Sequence, residues 1–454
     1  MQYITIYDYV LLPVYLFIFY MLVKRRSLKM SDVEMRKIFL ITFGLRMFGS
    51  VAFSLMVQYY YGYGDSFTYY TGSSFLTEQV KNDLGNIKYF FAPAKEVSEW
   101  FRLEADNNYI YGYLATASNL FVMKMAALVS VVSFNKFLII SLFFGLFSFA
   151  GQWKLFRVFH DINMGKNNRL LAFAVLYTPS IWFWGSGLMK DSICIGAAGF
   201  IIAILYKNFI KKQFSVKDML VLAVMFYIVN VTKSYIALVL VVGLATFIFA
   251  RFMLAVKNIV FKAMLITIFF FAAITLAFVF NFDEQLQELA EDSAQQVESF
   301  QKNYNAVNDD DDRSKGMVNI ENMDASLGGI ILQSPVAIFT CLFRPFIWES
   351  RKLIILFNSL EATLLFICTL IILFKTRFFG FFRYVFNNEY VLFCFIVSML
   401  FGLVIGLTTF NYGSMARYKI ILLPFYYFML VYIYTMQLNR NKTLMEEKSG
   451  TVNP

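Results

Sequence analysis

The feature that most constrains the fold of this chain is a series of long apolar runs, separated mainly by short loops rich in Lys and Arg. Of its 454 residues, 59% are hydrophobic and only 15% are charged, and the mean hydropathy is +0.61. An apolar run of about 20 residues crosses a bilayer as a helix, because a helix satisfies its own backbone polar groups in lipid. The sequence therefore predicts an all-α, polytopic bundle of transmembrane helices.

Eleven spans are predicted when each run is counted once. They cover residues 9–23, 38–57, 136–153, 169–187, 192–207, 217–231, 235–250, 259–280, 353–374, 389–410 and 420–437. Residues 114–134 are apolar but are interrupted by Ser118, Asn119 and Lys124. We interpret them as an interfacial or re-entrant helix, with a full span as the alternative.

The basic loops alternate along the chain, beginning with KRRSLK directly after the first span. Because Lys and Arg concentrate in cytoplasmic loops, the N-terminus is predicted outside and the C-terminus inside. We expect a single transmembrane domain over residues 1–437, outer loops with interfacial helices at 58–113 and 281–352, and a polar cytoplasmic tail at 438–454. The first run lacks a basic leader and is interpreted as a retained span of a multi-pass protein of a bacterial-type inner membrane.

Composition argues against several classes of function. The net charge of +10 is explained by the basic inner loops, so no nucleic-acid partner is expected. The four cysteines lie in or beside apolar segments without CxxC spacing, which argues against disulfides and a zinc site. The single histidine, His160, falls in a predicted inner loop, and the run Asp309 to Asp312 is interpreted as a solvated loop rather than a cation site.

An aromatic stretch after the second span, QYYYGYGDSFTYY from Gln58 to Tyr70, contains the single carboxylate Asp65. Gly62 and Gly64 allow a sharp backbone turn there. Tyrosines such as Tyr63 and Tyr69 offer flat surfaces edged with hydroxyl groups, which suit sugars and lipid headgroups. The alternative is an ordinary aromatic belt at the membrane interface.

Other charged residues occur at predicted outer turns, against the positive-inside tendency. They include Lys190 with Asp191, Lys233, Arg344 and Arg417. We predict that these turns converge on one cavity with Asp65 at its mouth. Cations in an apolar cleft suit a phosphate, and a carboxylate suits deprotonation of an attacking hydroxyl. Arg46 and Glu361 fall within spans and are interpreted as a structural pair.

Three short motifs carry a resemblance to a family. They are Gly64, Asp65 and Tyr69 in the first outer loop, TPSIWFWGSGLMKDS from Thr178 to Ser192, and RYKIILLP from Arg417 to Pro424. Together they resemble the GT-C glycosyltransferases and the related bacterial polysaccharide polymerases and glycan ligases. The chain departs from that family in having an extra span before the Asp65 loop, no acidic pair around Asp65, and no large soluble C-terminal domain.

The resemblance implies roles for the outer residues. Asp65 is the expected catalytic base or acceptor-orienting carboxylate, and Asp191 is the second acidic residue of the catalytic set. Lys190, Arg344 and Arg417 are expected to bind the donor phosphate. Tyr63, Tyr69 and Lys233 are assigned to substrate binding, although Lys233 also suits an interfacial anchor. No metal ligands are predicted, and a divalent cation has no support in the sequence.

The predicted function is transfer of a sugar or glycan from a polyprenyl-(pyro)phosphate donor to an acceptor hydroxyl on the extracytoplasmic face. The expected partners are this donor, a glycan or lipid-linked acceptor, and membrane lipid, with no nucleotide cofactor. One alternative is a multipass transporter or lipid-linked glycan flippase. Another is a noncatalytic envelope-assembly subunit whose outer charges bind protein.

Overall fold

The computed structural model describes residues 3–105, 113, 115–256, 264, 327–350, 353–409 and 412–448. Helices dominate this part of the chain, and no strand occurs within it. The chain divides into two compact units, Met1–Leu238 and Val239–Pro454. The prediction of an all-helical protein is confirmed, whereas the single domain over residues 1–437 stays a prediction.

The first unit is built from ten helices within the described ranges, and an eleventh begins in it. They are α1 (Ile6–Ser27), α2 (Val33–Met56), α3 (Asp65–Asn82), α4 (Ala94–Ala105), α5 (Ala117–Val132), α6 (Phe137–Ile162), α7 (Asn168–Ala172), α8 (Pro179–Trp184), α9 (Lys190–Leu205), α10 (Val216–Thr232) and α11 (Ser234–Ala255). Turns of π-helix extend α2, α7 and α9, at Val57–Tyr61, Phe173–Tyr177 and Tyr206–Ile210. A 3-10 helix, Leu84–Phe90, lies between α3 and α4.

The second unit contains the rest of α11 and six further helices among its described residues. These are α12 (Leu327–Phe343), α13 (Leu353–Thr376), α14 (Phe378–Phe386), α15 (Glu389–Thr408), α16 (Tyr412–Tyr418) and α17 (Leu423–Lys448). Short 3-10 helices follow α12 and α16, at Ile347–Glu349 and Lys419–Ile421. The packing of α12 on α15 is close, since a Cβ added at Gly406 would lie 2.2 Å from the carbonyl oxygen of Ala337.

Seven helices in the described part of the chain are long and apolar enough to cross a membrane. They are Ile6–Ser27, Val33–Tyr61, Phe137–Ile162, Lys190–Ile210, Ser234–Ala255, Ile355–Thr376 and Glu389–Thr408. Tyr412–Ile421 and Leu423–Arg440 form a pair bent by 62°, which makes an eighth candidate if it is one broken span. A multi-pass membrane protein is therefore indicated.

The prediction of eleven spans is not confirmed. The run at 217–231 forms the 17-residue α10, and the run at 420–437 is one limb of the bent pair. The run at 259–280 lies outside the described residues except for residue 264. Within the segment 114–134, Ala117–Val132 form the 16-residue α5, a short apolar helix, and both interpretations of that segment stay open.

The predicted span at 169–187 is instead a broken segment. After the π-turn Phe173–Tyr177, Thr178 takes an extended ψ of 125° and Pro179 begins α8. A proline disfavours helical geometry in the preceding residue and lacks the N–H that continues a helix. Periodicity of apolar residues alone did not reveal this break.

Helix α2 packs closely against the broken segment. A Cβ at Gly49 would lie 2.3 Å from the Trp182 carbonyl oxygen, and one at Gly187 would lie 2.0 Å from the ring of Phe53. The fully buried Arg46 donates hydrogen bonds to the carbonyl oxygens of Ile181 (2.9 Å) and Gly185 (2.8 Å). These bonds satisfy carbonyl groups near the end of α8. In the second unit, Glu361 interacts electrostatically with the buried Lys419.

Contacts within the first unit bring several helix termini to one end of the bundle. The Gln58 side chain accepts hydrogen bonds from the Tyr3 and Ile4 N–H groups, joining the start of α1 to the end of α2, and the Tyr3 ring stacks on Phe67 near the start of α3. Asp8 accepts from the Leu138 N–H at 3.0 Å, which caps α6. The basic loops lie at the opposite ends of these helices, where Glu34 pairs with Arg169 at 3.0 Å. We call the end that carries Gln58 and Asp8 the Asp65 end.

Helices α3, α4 and α5 share a small core at the Asp65 end. Its fully or nearly fully buried side chains are Leu76, Val97, Trp100, Phe101, Leu120, Met123 and Ala127. This core corresponds to the predicted outer loop 58–113 and the adjoining α5. The loop therefore contains packed helices, which hold α3 and its first residue in place.

Candidate functional site

Asp65 is the first residue of α3 and follows a turn made by two glycines. Gly62 has a φ of +69° and Gly64 a φ of +133°, conformations that side chains rarely adopt. The prediction that these glycines permit a sharp turn is confirmed. The turn leaves Asp65 half-buried at the N-terminus of an 18-residue helix.

Asp191 forms a buried ion pair with Lys233. The Lys233 Nζ lies 2.5 Å from the Asp191 Oδ1, and their side chains are 9% and 0% exposed. Asp191 comes from the first turn of α9, and Lys233 is the single residue between α10 and α11. A buried pair of this kind fixes the relative positions of the three helix ends.

Lys190 connects this ion pair to Asp65. Its ammonium donates a hydrogen bond to the Ser118 hydroxyl at 2.8 Å, at the start of α5. It also interacts electrostatically with Asp65, Asp191 and Lys233. The Ser66 hydroxyl, next to Asp65, contacts the Met189 sulfur at 3.0 Å and so joins α3 to the start of α9.

Hydroxyl and amide groups complete the network beside Asp65. The Tyr113 hydroxyl lies 3.1 Å from that of Tyr69, which in turn donates to the Asn119 side-chain oxygen at 3.2 Å. The Asn119 amide returns a hydrogen bond to the Tyr113 carbonyl at 2.8 Å. Burial, followed by the interactions with Tyr69 and Asp65, raises the pKa of Tyr113, so this phenol stays protonated.

Five of the eight predicted site residues therefore lie in one connected group, which we call the Asp65 network. Its members are Asp65, Tyr69, Tyr113, Ser118, Asn119, Lys190, Asp191 and Lys233. The group contains two lysines and two aspartates, so its positive and negative charges are equal in number, whereas the sequence predicted an excess of cations. Tyr63 is 76% exposed and packs edge-on against Tyr61, which is not a member of this group.

The sequence reasoning missed Tyr113, Ser118 and Asn119 as members of the site. The signal that would have found two of them is the polar pair Ser118 and Asn119 at the start of an otherwise apolar helix. The sequence alone indicates only that this pair interrupts an apolar segment. Tyr113 has no comparable local signal among the many tyrosines of the outer loops.

Arg344 and Arg417 belong to the second unit. Arg344 Nε donates to both carboxylate oxygens of Glu349, at 3.0 and 3.2 Å, and its guanidinium lies 5.6 Å from the ring centroid of Tyr412. Arg417 lies over the ring of Tyr418 at 5.0 Å and donates to its hydroxyl at 3.3 Å. Glu349 was not among the predicted site residues, and it neutralises the arginine that we expected to bind phosphate.

The ion pair changes the titration of both partners. Burial raises the pKa of Glu349, but the hydrogen bonds from Arg344 and the Phe346 N–H outweigh it, so the pKa lies below its usual range. The same hydrogen bond has the opposite effect on Arg344, whose pKa it raises. The pair is therefore fully charged at neutral pH.

No group of three or more His, Cys, Asp or Glu side chains suited to a metal ion occurs within the described ranges. Chemically, the Asp65 network offers a half-buried carboxylate to accept a proton and a nearby ammonium to interact with an anion. The half-buried Tyr113 adds a hydroxyl edge for polar contacts with a substrate, whereas Tyr69, predicted to bind substrate, is 1% exposed and supports Tyr113.

Comparison of the chain with protein-family models, with curated proteins and with solved structures found no match. The function proposed below accordingly depends on the residues of the site and their contacts.

Proposed function

We propose that this protein is a membrane glycosyltransferase or polysaccharide polymerase that uses a polyprenyl-(pyro)phosphate donor on the extracytoplasmic face. The observation that carries the proposal is the Asp65 network, in which a half-buried carboxylate lies beside Lys190 and two tyrosine hydroxyls. The network lies at the end of the first unit opposite its basic loops. That end is the outer one if the positive-inside tendency holds for this chain.

In the proposed reaction, an acceptor hydroxyl attacks the anomeric carbon of the donor sugar. Asp65 takes the hydroxyl proton as the new glycosidic bond forms. The bond between the anomeric carbon and the lipid phosphate breaks, and the phosphate leaves with the bonding electron pair. Lys190 stabilises the negative charge on the departing phosphate oxygen.

Asp191 has a different role in this proposal from Asp65. Its carboxylate is fully buried and paired with Lys233, so it positions the lysines of the network instead of contacting the acceptor. Tyr113 orients the acceptor through its hydroxyl group, and Tyr69, which is 1% exposed, holds that hydroxyl in place. The predicted donor-phosphate roles of Arg344 and Arg417 stay predictions, and Arg344 must exchange or share its contact with Glu349 to meet a phosphate.

A transporter or lipid flippase is the second candidate. One observation favours it: the broken segment from α7 to α8, whose carbonyl groups are met by the buried Arg46. Interrupted helices with buried charge are typical of transporter binding sites. The assembly-subunit alternative has no comparable observation among the described residues.

The sidedness of the accumulated donor distinguishes the two candidates. In cells lacking the protein, polyprenyl-linked glycan is extracted after treatment of intact spheroplasts with membrane-impermeant periodate, which oxidises only sugars facing outward. The transferase proposal predicts that donor accumulates and is oxidised in intact spheroplasts. A flippase predicts that the accumulated donor is protected until the membrane is permeabilised. Absence of accumulation contradicts both.

A further inference from the structure

A cavity of about 520 Å³ lies in the second unit, at the end opposite Arg344. It is open on one side and is lined by the end of α13, by α14, by the α14–α15 connection and by α17. Arg383 from α14 and Arg440 from α17 line it, together with Tyr384, Asn388 and Tyr432. Two cations from separate helices thus meet in one concave site.

The polar groups of the cavity are held by contacts between helices. The Tyr384 hydroxyl donates to the Gln437 side-chain oxygen at 3.0 Å, and the Asn388 amide donates to the Tyr432 hydroxyl at 3.0 Å. These bonds tie α14 and the start of α15 to α17. The site is therefore built from packed elements rather than from loose surface side chains.

The charge of the cavity is not neutralised by the surrounding described side chains. Arg383 and Arg440 are both exposed, and no carboxylate described in the structure forms an ion pair with either. Among the described residues, the carboxylate of Glu389 interacts electrostatically with Tyr432, which lines the cavity. Two exposed guanidinium groups in a concave polar site suit the oxygens of a phosphate.

Helix α14 favours a phosphate that carries acyl chains. Its nine residues, FFGFFRYVF, bury Phe381 and Val385 against the unit and expose Phe378 and Phe379 to 61% and 86%. An amphipathic helix with exposed aromatic rings lies in the membrane interface, with its rings at the depth of the acyl chains. A water-soluble phosphate would gain nothing from these rings.

We propose that this cavity binds the phosphate headgroup of an anionic membrane phospholipid. The guanidinium groups of Arg383 and Arg440 meet the phosphate oxygens, and the exposed phenylalanines of α14 contact the acyl chains. The site belongs to the predicted cytoplasmic side, where anionic lipid and basic residues attract each other. It is independent of the transfer reaction proposed for the Asp65 network.

The test is native mass spectrometry of the purified full-length protein with phosphatidylglycerol, phosphatidylcholine and glycerol 3-phosphate as separate probes. Wild type is expected to retain phosphatidylglycerol in preference to the other two. The double variant Arg383→Gln with Arg440→Gln is expected to bind phosphatidylglycerol about tenfold or more weakly, given the strength of hydrogen bonds to charged groups. Arg157→Gln, which removes an exposed basic residue of α6 in the first unit, is the matched control and is expected to bind like wild type.

Three results would overturn the proposal. The first is equal retention of phosphatidylglycerol and phosphatidylcholine by wild type, which needs no variant to fold. The second is unchanged binding by the double variant, checked to be monodisperse in size-exclusion chromatography. The third is glycerol 3-phosphate binding as tightly as the lipid, which would identify a soluble phosphate ligand instead.

Discussion

At the residue scale, the Asp65 network depends on a buried ion pair that orders three helix ends. Asp191 and Lys233 are both almost completely removed from solvent. Removing one member of such a pair leaves the other charge buried, which costs more than the pair itself contributes. The same pair holds the start of α9, which carries Lys190. A change to the ion pair is therefore expected to move Lys190 relative to Asp65.

Lys233→Met is therefore expected to destabilise the protein by about 3–5 kcal/mol, and Asp191→Asn by a similar amount. The double variant is expected to recover much of that loss, because no unpaired charge is left buried. Unfolding of the purified proteins in detergent gives the coupling free energy of the double-mutant cycle. Effects that simply add in the double variant would contradict the ion pair.

The Arg344–Glu349 pair gives a dependence of stability on pH. The pKa of Glu349 is lower in the folded protein than its usual value, so its contribution is fully present above the unfolded pKa of about 4.3. The contribution is lost as the pH falls through the lower, folded pKa. Between pH 7 and pH 3 the free energy of unfolding of wild type should therefore fall by more than that of Glu349→Gln, with a difference of about 1 kcal/mol or less. Parallel stability curves for the two proteins would rule out this role of the pair.

At the element scale, helices α6 and α9 form the closest packing of the first unit. A Cβ at Gly151 would lie 1.9 Å from the carbonyl oxygen of Gly196, and one at Gly199 would lie 2.1 Å from that of Gly151. No side chain larger than glycine fits at these positions, so the two helix backbones lie in direct contact. Close approach at small residues is a common basis of helix association in membranes. Because α9 begins at Lys190, this packing also holds the network in position.

Gly151→Ala is expected to lower stability by about 1–3 kcal/mol, since the added methyl group forces two backbones apart. Gly44→Ala is the matched control, because Gly44 is also within a helix but has no atom within 4 Å of an added Cβ. It is expected to be neutral or slightly stabilising, by up to about 1 kcal/mol. The comparison uses thermal unfolding in one detergent, and equal shifts for both variants would refute the packing argument.

At the scale of the whole molecule, the length of the apolar runs predicted a helical membrane protein. The placement of charged residues predicted that Asp65 lies near Lys190, Asp191 and Lys233. Prediction from the sequence failed where local chemistry overrides hydropathy. Pro179 breaks a run that looked like one span, and Pro424 is the second residue of the helix after the 62° bend. Glu349 and Tyr113 were missed because their roles depend on contacts between separate segments.

The predicted orientation is open to a direct test by cysteine labelling. Tyr63 is 76% exposed at the Asp65 end, and Lys166 is exposed in the basic loop at the opposite end. Because three of the four native cysteines are buried, a Cys368→Ser background is suitable. Tyr63→Cys should react with a membrane-impermeant maleimide in intact cells, and Lys166→Cys only after permeabilisation. The reverse pattern would place the Asp65 network in the cytoplasm.

The most direct test of the central claim is glycan profiling of cells that lack the protein and are complemented at equal abundance. The variants are wild type, Asp65→Asn and the control Glu78→Gln, which neutralises an exposed carboxylate on the same helix. The account predicts that wild type and Glu78→Gln restore a missing glycan and that Asp65→Asn does not. Full restoration by Asp65→Asn would show that this carboxylate is not the base and would contradict the proposed reaction.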